Sequence, residues 1–175
     1  MKFIDSNGGP LVMLERDLLP LWKGDDGASV RQAVGLISEV QTDYQRACAI
    51  PGWIGKIEVD DDRYGIVFWG DLLGLGYVKN NDGSVLIVRP YCDIEDIYNH
   101  IMIANNNARA LRKDFDIRIE CRKSVIFDSA FPGEEILSDC LHLDLSPGRY
   151  EALTYSHKIE DAEIVFHLLR LRPDT

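Results

Sequence analysis

The stretch SNGGPLVMLERDLLPLW, residues 6–22, decides how the chain is read. A Gly-Gly pair opening an apolar run either starts a phosphate-cradling loop or turns the chain into a buried strand. In a phosphate loop the glycines lead into a helix whose first amides point at the anion. Here Gly9 is followed by Pro10, which has no amide to offer, and then by strand-like Leu11, Val12, Met13 and Leu14. The turn is the reading that fits. Asn7-Gly8 is also a hairpin signal, because both central residues of a tight primed turn need positive φ. Residues 2–5 and 10–14 are therefore expected to pair across it, and residues 15–22 fit one helical turn ending near Pro20.

Working outward, residues 23–29 form a Gly/Asp loop. Val30, Ala33, Val34, Ile37, Val40, Tyr44 and Ala47 then recur at helical spacing and predict a helix over about residues 30–50, although Gly35 interrupts it and Thr42-Asp43 could open a separate element. The middle is β-rich. Residues 55–59 and 64–69 flank the turn Asp60-Asp61-Asp62, and residues 77–78 and 84–91 flank Asn80-Asn81-Asp82-Gly83, which predicts two hairpins. Residues 93–112 have the clearest helical pattern: Asp93 caps, Asp96 holds the capping-box position, and Ile94, Ile97, Ile101, Ala104, Ala108 and Leu111 line one face.

The last third alternates. Phe115, Ile117 and Ile119 share a face, as do Leu141, Leu143 and Leu145, and turns at Ser146-Pro147-Gly148 and at residues 159–162 predict an antiparallel meander. The expected fold class is α+β, mostly antiparallel sheet, with one helix at about 93–112 and another at about 30–50. A chain of 175 residues fits one domain. Two lobes sharing a core, about 1–92 and 93–175, are compatible with it.

The formal charge of −10 repels nucleic acid and anionic membranes and attracts basic partners, so neither a nucleic-acid nor a membrane role is expected. Residues 99–125 run against this trend. Arg109, Arg112, Lys113, Arg118, Arg122 and Lys123 outnumber Asp114, Asp116 and Glu120, a net +3 that leaves −13 for the remainder. A solvated helix face followed by a strand edge accounts for such a segment. The N-terminal residues have no apolar signal region, and no stretch approaches the roughly 18 apolar residues of a membrane span. Cys48, Cys92, Cys121 and Cys140 are far apart in apolar or alternating runs, as reduced cytoplasmic cysteines are.

Motifs for catalysis are missing. There is no G-x-S-x-G, H-E-x-x-H, Walker lysine loop or dinucleotide fingerprint, and GDLLGLG at residues 70–76 has glycines without a base or a following helix. His142, His157 and His167 with Asp144 are the tempting metal set. A hairpin turning at Pro147 sets His142 opposite Ala152, and one turning at residues 159–162 sets His167 opposite Leu153, which puts the two histidines on opposite faces of a sheet. No metal and no cofactor is expected. Cys140 and His142 alternate on one strand face, a common arrangement, and Glu134-Glu135 reads as solvated surface. What stands out is acidity in turns: Asp25-Asp26, Asp60-Asp61-Asp62, and Asp93, Glu95 and Asp96. Such charges either keep the protein soluble or meet a basic partner.

Several stretches, in order, resemble the immunity protein 21 family of bacterial polymorphic toxin systems: SNGGPLVML, LLPLWKG, DYQRACAI, WIGKIEV, IVFWGD, SVLIVRPYC, VIFDSAFPG and LSPGRYEALTY. The matched positions are Gly8, Gly9, Pro10, Trp22, Asp43, Tyr44, Arg46, Ala47, Gly70, Asp71, Phe127, Asp128, Pro147, Gly148 and Tyr150. Phe3 stands where the family pattern has Trp, and residues 27–41 form a longer insert. The resemblance implies a cytoplasmic protein that binds and silences a cognate toxin domain. It supplies no catalytic set, and the Gly-Gly-Pro motif reads as architecture.

Acidic steering suits a basic, nuclease-like toxin, with Asp25, Asp26, Asp60, Asp61, Asp62, Asp93, Glu95 and Asp96 as the expected contacts. Two rivals stay open. One is a small-ligand binder or enzyme with a pocket between the sheet and the 93–112 helix, using Arg118 or Arg122 on an anion. The other is a homodimeric interaction module joined through a sheet edge.

Overall fold

Residues 11–14 are apolar without alternation, and such a run forms a strand only where both of its faces are covered. The computed structural model of the protein provides that cover. It describes residues 2–30, 41–69, 74–90, 99, 112–136, 139–159 and 162–173, the side chains of 157–159 and 162 excepted. In chain order the strands are β1 (Phe3–Ile4), β2 (Leu11–Glu15), β3 (Ile54–Asp60), β4 (Arg63–Phe68), β5 (Leu75–Lys79), β6 (Val85–Pro90), β7 (Arg112–Ile119), β8 (Lys123–Asp128), β9 (Leu141–Asp144), β10 (Gly148–Ile159) and β11 (Ala162–Arg172). A short helix, α1 (Asp43–Cys48), and 3-10 turns at Leu19–Leu21 and Gly133–Glu135 complete the described elements.

The strands form two antiparallel sheets, one of order β1-β5-β6-β11-β10-β7 and one of order β3-β4-β2-β8-β9. Their inner faces meet in a core that takes Ile87, Ile117, Tyr150 and Leu169 from the first sheet and Leu11, Met13, Ile66, Phe68 and Ile126 from the second. Each such side chain contributes about 1.5–3 kcal/mol on burial. The outer face of the five-stranded sheet is covered as well. Val12, Leu14, Val67, Val125 and Phe127 pack there with Leu18, Trp22 and Ala47. Strand β2 is thus sandwiched, as its composition demands.

The two central hairpins form as expected, β3 with β4 and β5 with β6. Asp62 occupies the left-handed region at φ 59°, where a short polar side chain is tolerated, and Gly83 does so at 84°. The N-terminal hairpin does not form. Strand β1 pairs with β5 in one sheet while β2 pairs with β4 and β8 in the other, so residues 5–10 cross between the layers. Gly8 alone takes positive φ there, at 104°, and Asn7 does not. The tight primed turn needs both.

The C-terminal third is not a simple meander. Strand β9 pairs with β8 in the five-stranded sheet, while β10 lies between β7 and β11 in the six-stranded one, so the turn at Pro147 changes sheets instead of closing a hairpin. His142 consequently does not face Ala152. His167 faces Thr154, one residue from the expected Leu153.

Of the expected helix over 30–50, residues 31–40 lie outside the described residues, and the part from Asp43 to Cys48 is α1. It has its own start: Thr42 caps it in a capping box with Gln45. The expected helix over 93–112 lies outside the described residues except at two positions. Asn99 is helical, and Arg112 already belongs to β7.

Candidate functional site

Among the residues that carry the family resemblance, Gly9, Pro10, Trp22, Tyr44 and Asp128 are tied together around one end of the five-stranded sheet. Gly9 packs so closely on the Tyr44 ring that a Cβ at that position would lie 2.7 Å from it. The Pro10 carbonyl accepts hydrogen bonds from the Ser129 amide (3.1 Å) and hydroxyl (2.6 Å). Asp128 accepts from the Asn7 and Ala130 amides, and Trp22 donates its indole N–H to the Ser129 carbonyl at 3.1 Å. Tyr44 is held above the ordinary phenol range, first by a hydrogen bond with Cys48, then by burial and by the nearby carboxylates of Asp128 and Asp25.

Asp43 is fully buried and saturated. It accepts from the Lys23 and Ser29 amides, the Ser29 hydroxyl and the Arg46 guanidinium, which is 2.7 Å away. Arg46 also reaches the Glu58 carbonyl. A buried carboxylate held this way is stable only while every partner stays. At the far end of the molecule, the Tyr150 hydroxyl donates to the Ser146 carbonyl four residues upstream, fixing the turn through Pro147 and Gly148. Gly70 and Asp71 lie outside the described residues.

The acidic turns do not converge. Asp60, Asp61 and Asp62 are exposed at the β3–β4 turn, beside Arg63. Arg63 bonds to Asp17 at 2.8 Å and approaches Glu15 and Glu120, and its guanidinium holds the Asp17 carboxyl below the usual range. That turn is at the Glu15 end of β2. Asp25 and Asp26, also exposed, are at the opposite, Leu11 end, where the Asp25 amide donates to the Ala130 carbonyl. A strand length separates the two, on the order of 15 Å. Asp93, Glu95 and Asp96 lie outside the described residues.

The Leu11 end carries something the turn acids alone did not reveal. Leu21 (37% exposed), Trp53 (43%) and Phe131 (47%) are the large apolar side chains left in solvent among the described residues. Leu21 and Phe131 are on two loops clamped to each other by the Asp25–Ala130 bond and by the Gly133 amide donating to the Trp22 carbonyl at 3.0 Å. Trp53 enters β3 at Ile54, which aligns with Phe68 and, through it, with Leu11. A sequence signal existed. Trp53 follows Pro51-Gly52 and Phe131 precedes Pro132-Gly133, so both aromatics flank a turn that must stay at the surface.

A family model, immunity protein 21, matches residues 2–162. The chain belongs to the immunity protein 21 family. No curated protein and no solved structure matches it. The motif residues of this family member that the structure describes are mostly buried or engaged with backbone, and its solvent-facing apolar side chains flank them.

The remaining sequence candidates stay dispersed. Among the described residues, no three of His, Cys, Asp and Glu come together as metal ligands. His142 and His167 belong to different sheets. Cys140 and His142 approach to 3.5 Å, and Cys48, Cys121 and Cys140 are free thiols. Arg118 pairs with Glu120 at 3.5 Å and Arg122 with Asp144 at 3.9 Å, all largely exposed. The pocket expected beside the 93–112 helix lies outside the described residues. Among the described residues, no helix is long and apolar enough to cross a membrane.

Proposed function

We propose that this immunity protein neutralises its cognate toxin in the cytoplasm by stoichiometric binding, making and breaking no bond, through the Leu11 end of the five-stranded sheet. The observation that carries this reading is the exposure of Leu21, Trp53 and Phe131 at one end of a sheet, beside Asp25 and Asp26. Aromatic side chains rimmed by charge are what protein interfaces use as anchors, and a few of them carry most of the binding energy. Acids on the rim of a chain with net charge −10 favour a basic, nuclease-like partner and speed its approach.

The test uses the cognate toxin domain. Phe131→Ala is expected to raise the dissociation constant about 30-fold or more, as a loss near 2 kcal/mol requires, with thermal stability unchanged. Asp25→Asn with Asp26→Asn should slow association and flatten its salt dependence, while Asp60→Asn, Asp61→Asn and Asp62→Asn leave both intact. Unchanged affinity in Phe131→Ala together with Leu21→Ser would refute this surface. Turnover of any compound by the purified protein would refute the non-catalytic reading.

A further inference from the structure

The two sheets part at the Glu15 end of β2. Between β5 and β6 on one side and β8 and β9 on the other lies a cleft of about 440 Å³, lined by Arg16, Tyr77, Lys79, Lys123, Ser124 and Asp144 together with aliphatic side chains from both sheets. Its width is set by two bonds that bridge the sheets. The Tyr77 hydroxyl donates to the His142 carbonyl and the Lys79 ammonium to the Asp144 carbonyl, each at 2.7 Å.

Ser124 shares the parity of Ile126 on β8, whose side chain lies in the core between the sheets, so its hydroxyl points into the space where they separate. It is 1% exposed, and its Oγ has no hydrogen-bond partner. Leaving such a group unpaired costs about 1–3 kcal/mol. The cations around it also lack a counter-charge among the described residues, the Lys79 ammonium meeting the Asp144 backbone carbonyl and not a carboxylate. The Asp144 carboxylate is approached by Arg122, and among the described residues Arg16, Lys79 and Lys123 pair with no carboxylate. On a chain of net charge −10, this is a local reversal of sign around a concave site with a buried free donor.

We propose that this cleft binds a small phosphate monoester, its dianion met by Lys79 and the Ser124 hydroxyl between the sheets and by the exposed Arg16 and Lys123 at the cleft's rim, and its organic part packed against Tyr77. A phosphate carries up to two charges and three strong acceptor oxygens, which suits several cations and a hydroxyl better than a single carboxylate does. The volume is that of a small-ligand pocket. The site is independent of the toxin-facing surface, from which it lies at the other end of the sheet.

Calorimetric titration of the full chain with phenyl phosphate, inorganic phosphate and phenol tests the proposal. Phenyl phosphate should bind saturably at one site, inorganic phosphate more weakly, and phenol not at all. Lys79→Met and Lys123→Met should each weaken binding about tenfold, the range of a charge-assisted contact. Ser124→Ala should weaken it severalfold while leaving the ligand-free melting temperature unchanged or raised, since it removes an unpaired buried group; a purely structural hydroxyl would show the reverse. No saturable binding at millimolar phenyl phosphate overturns the proposal, as does full binding by a folded Lys79→Met/Lys123→Met variant. Where that double variant does not fold, Arg16→Met at an exposed position decides: weaker binding is expected, and unchanged binding overturns the site.

Discussion

His167 is enclosed between the sheets, with Nδ1 2.8 Å from the Thr154 hydroxyl and its ring beside Phe68 at 5.6 Å between centroids. Burial drives its pKa down to about 3, and the positive charge of Arg89 pushes the same way. The folded state therefore keeps the imidazole neutral while the unfolded chain protonates near the ordinary value of about 6.5. Stability should fall as pH drops below that value and keep falling toward pH 3. Through this group alone the loss between pH 7 and pH 5 is about 2 kcal/mol. Urea unfolding at the two pH values should show that difference in the native protein and not in His167→Gln. Sequence reasoning put His167 on a strand in the C-terminal hairpin but one residue out of register. The pairing depends on how many residues the turn before β11 consumes, and apolar alternation does not count them.

Strand β2 shows where element-level reading succeeds and where it stops. Its apolar run announced a buried strand, and Pro10, with no amide to offer, spoke against a phosphate loop there. Its partners were not announced, because β8 lies more than a hundred residues further along and the choice depends on how inner and outer faces match across the core. The Asn7-Gly8 signal pointed to a hairpin that does not form: Gly8 takes positive φ without Asn7, and β1 pairs with β5 in the other sheet. Hydrogen exchange should rank the elements accordingly. Amides of β2, bonded on both sides, are expected to open only with global unfolding. Those of β1, held by two aligned pairs at a sheet edge, should exchange faster by a factor on the order of 1,000 or more.

At the scale of the molecule, each sheet mixes early and late strands. β2 and β4 sit beside β8, and β5 and β6 sit beside β11, so a division near residue 92 would cut both layers. We propose that residues 1–175 form one cooperative unit. Far-ultraviolet circular dichroism and tryptophan fluorescence should then report a single coincident transition, and a fragment of residues 1–92 should not fold alone. The candidate surface was half legible at this scale. Turn acids declare their exposure by composition, whereas Leu21 and Phe131 become neighbours only through the bonds that clamp residues 19–26 to the loop after β8. The fold class was legible because it rests on hairpin and alternation signals, which are local.

The position of β11, flanked by β6 and β10 inside the six-stranded sheet, also governs when the protein can act. A ribosome delivers this strand after all its neighbours, and every nascent chain up to that moment holds a sheet with a gap at its middle. If guarding the cell requires the finished sandwich, resistance begins only once β11 has slotted between β6 and β10, and a nonsense codon upstream of β11 abolishes it outright instead of leaving a weaker guard.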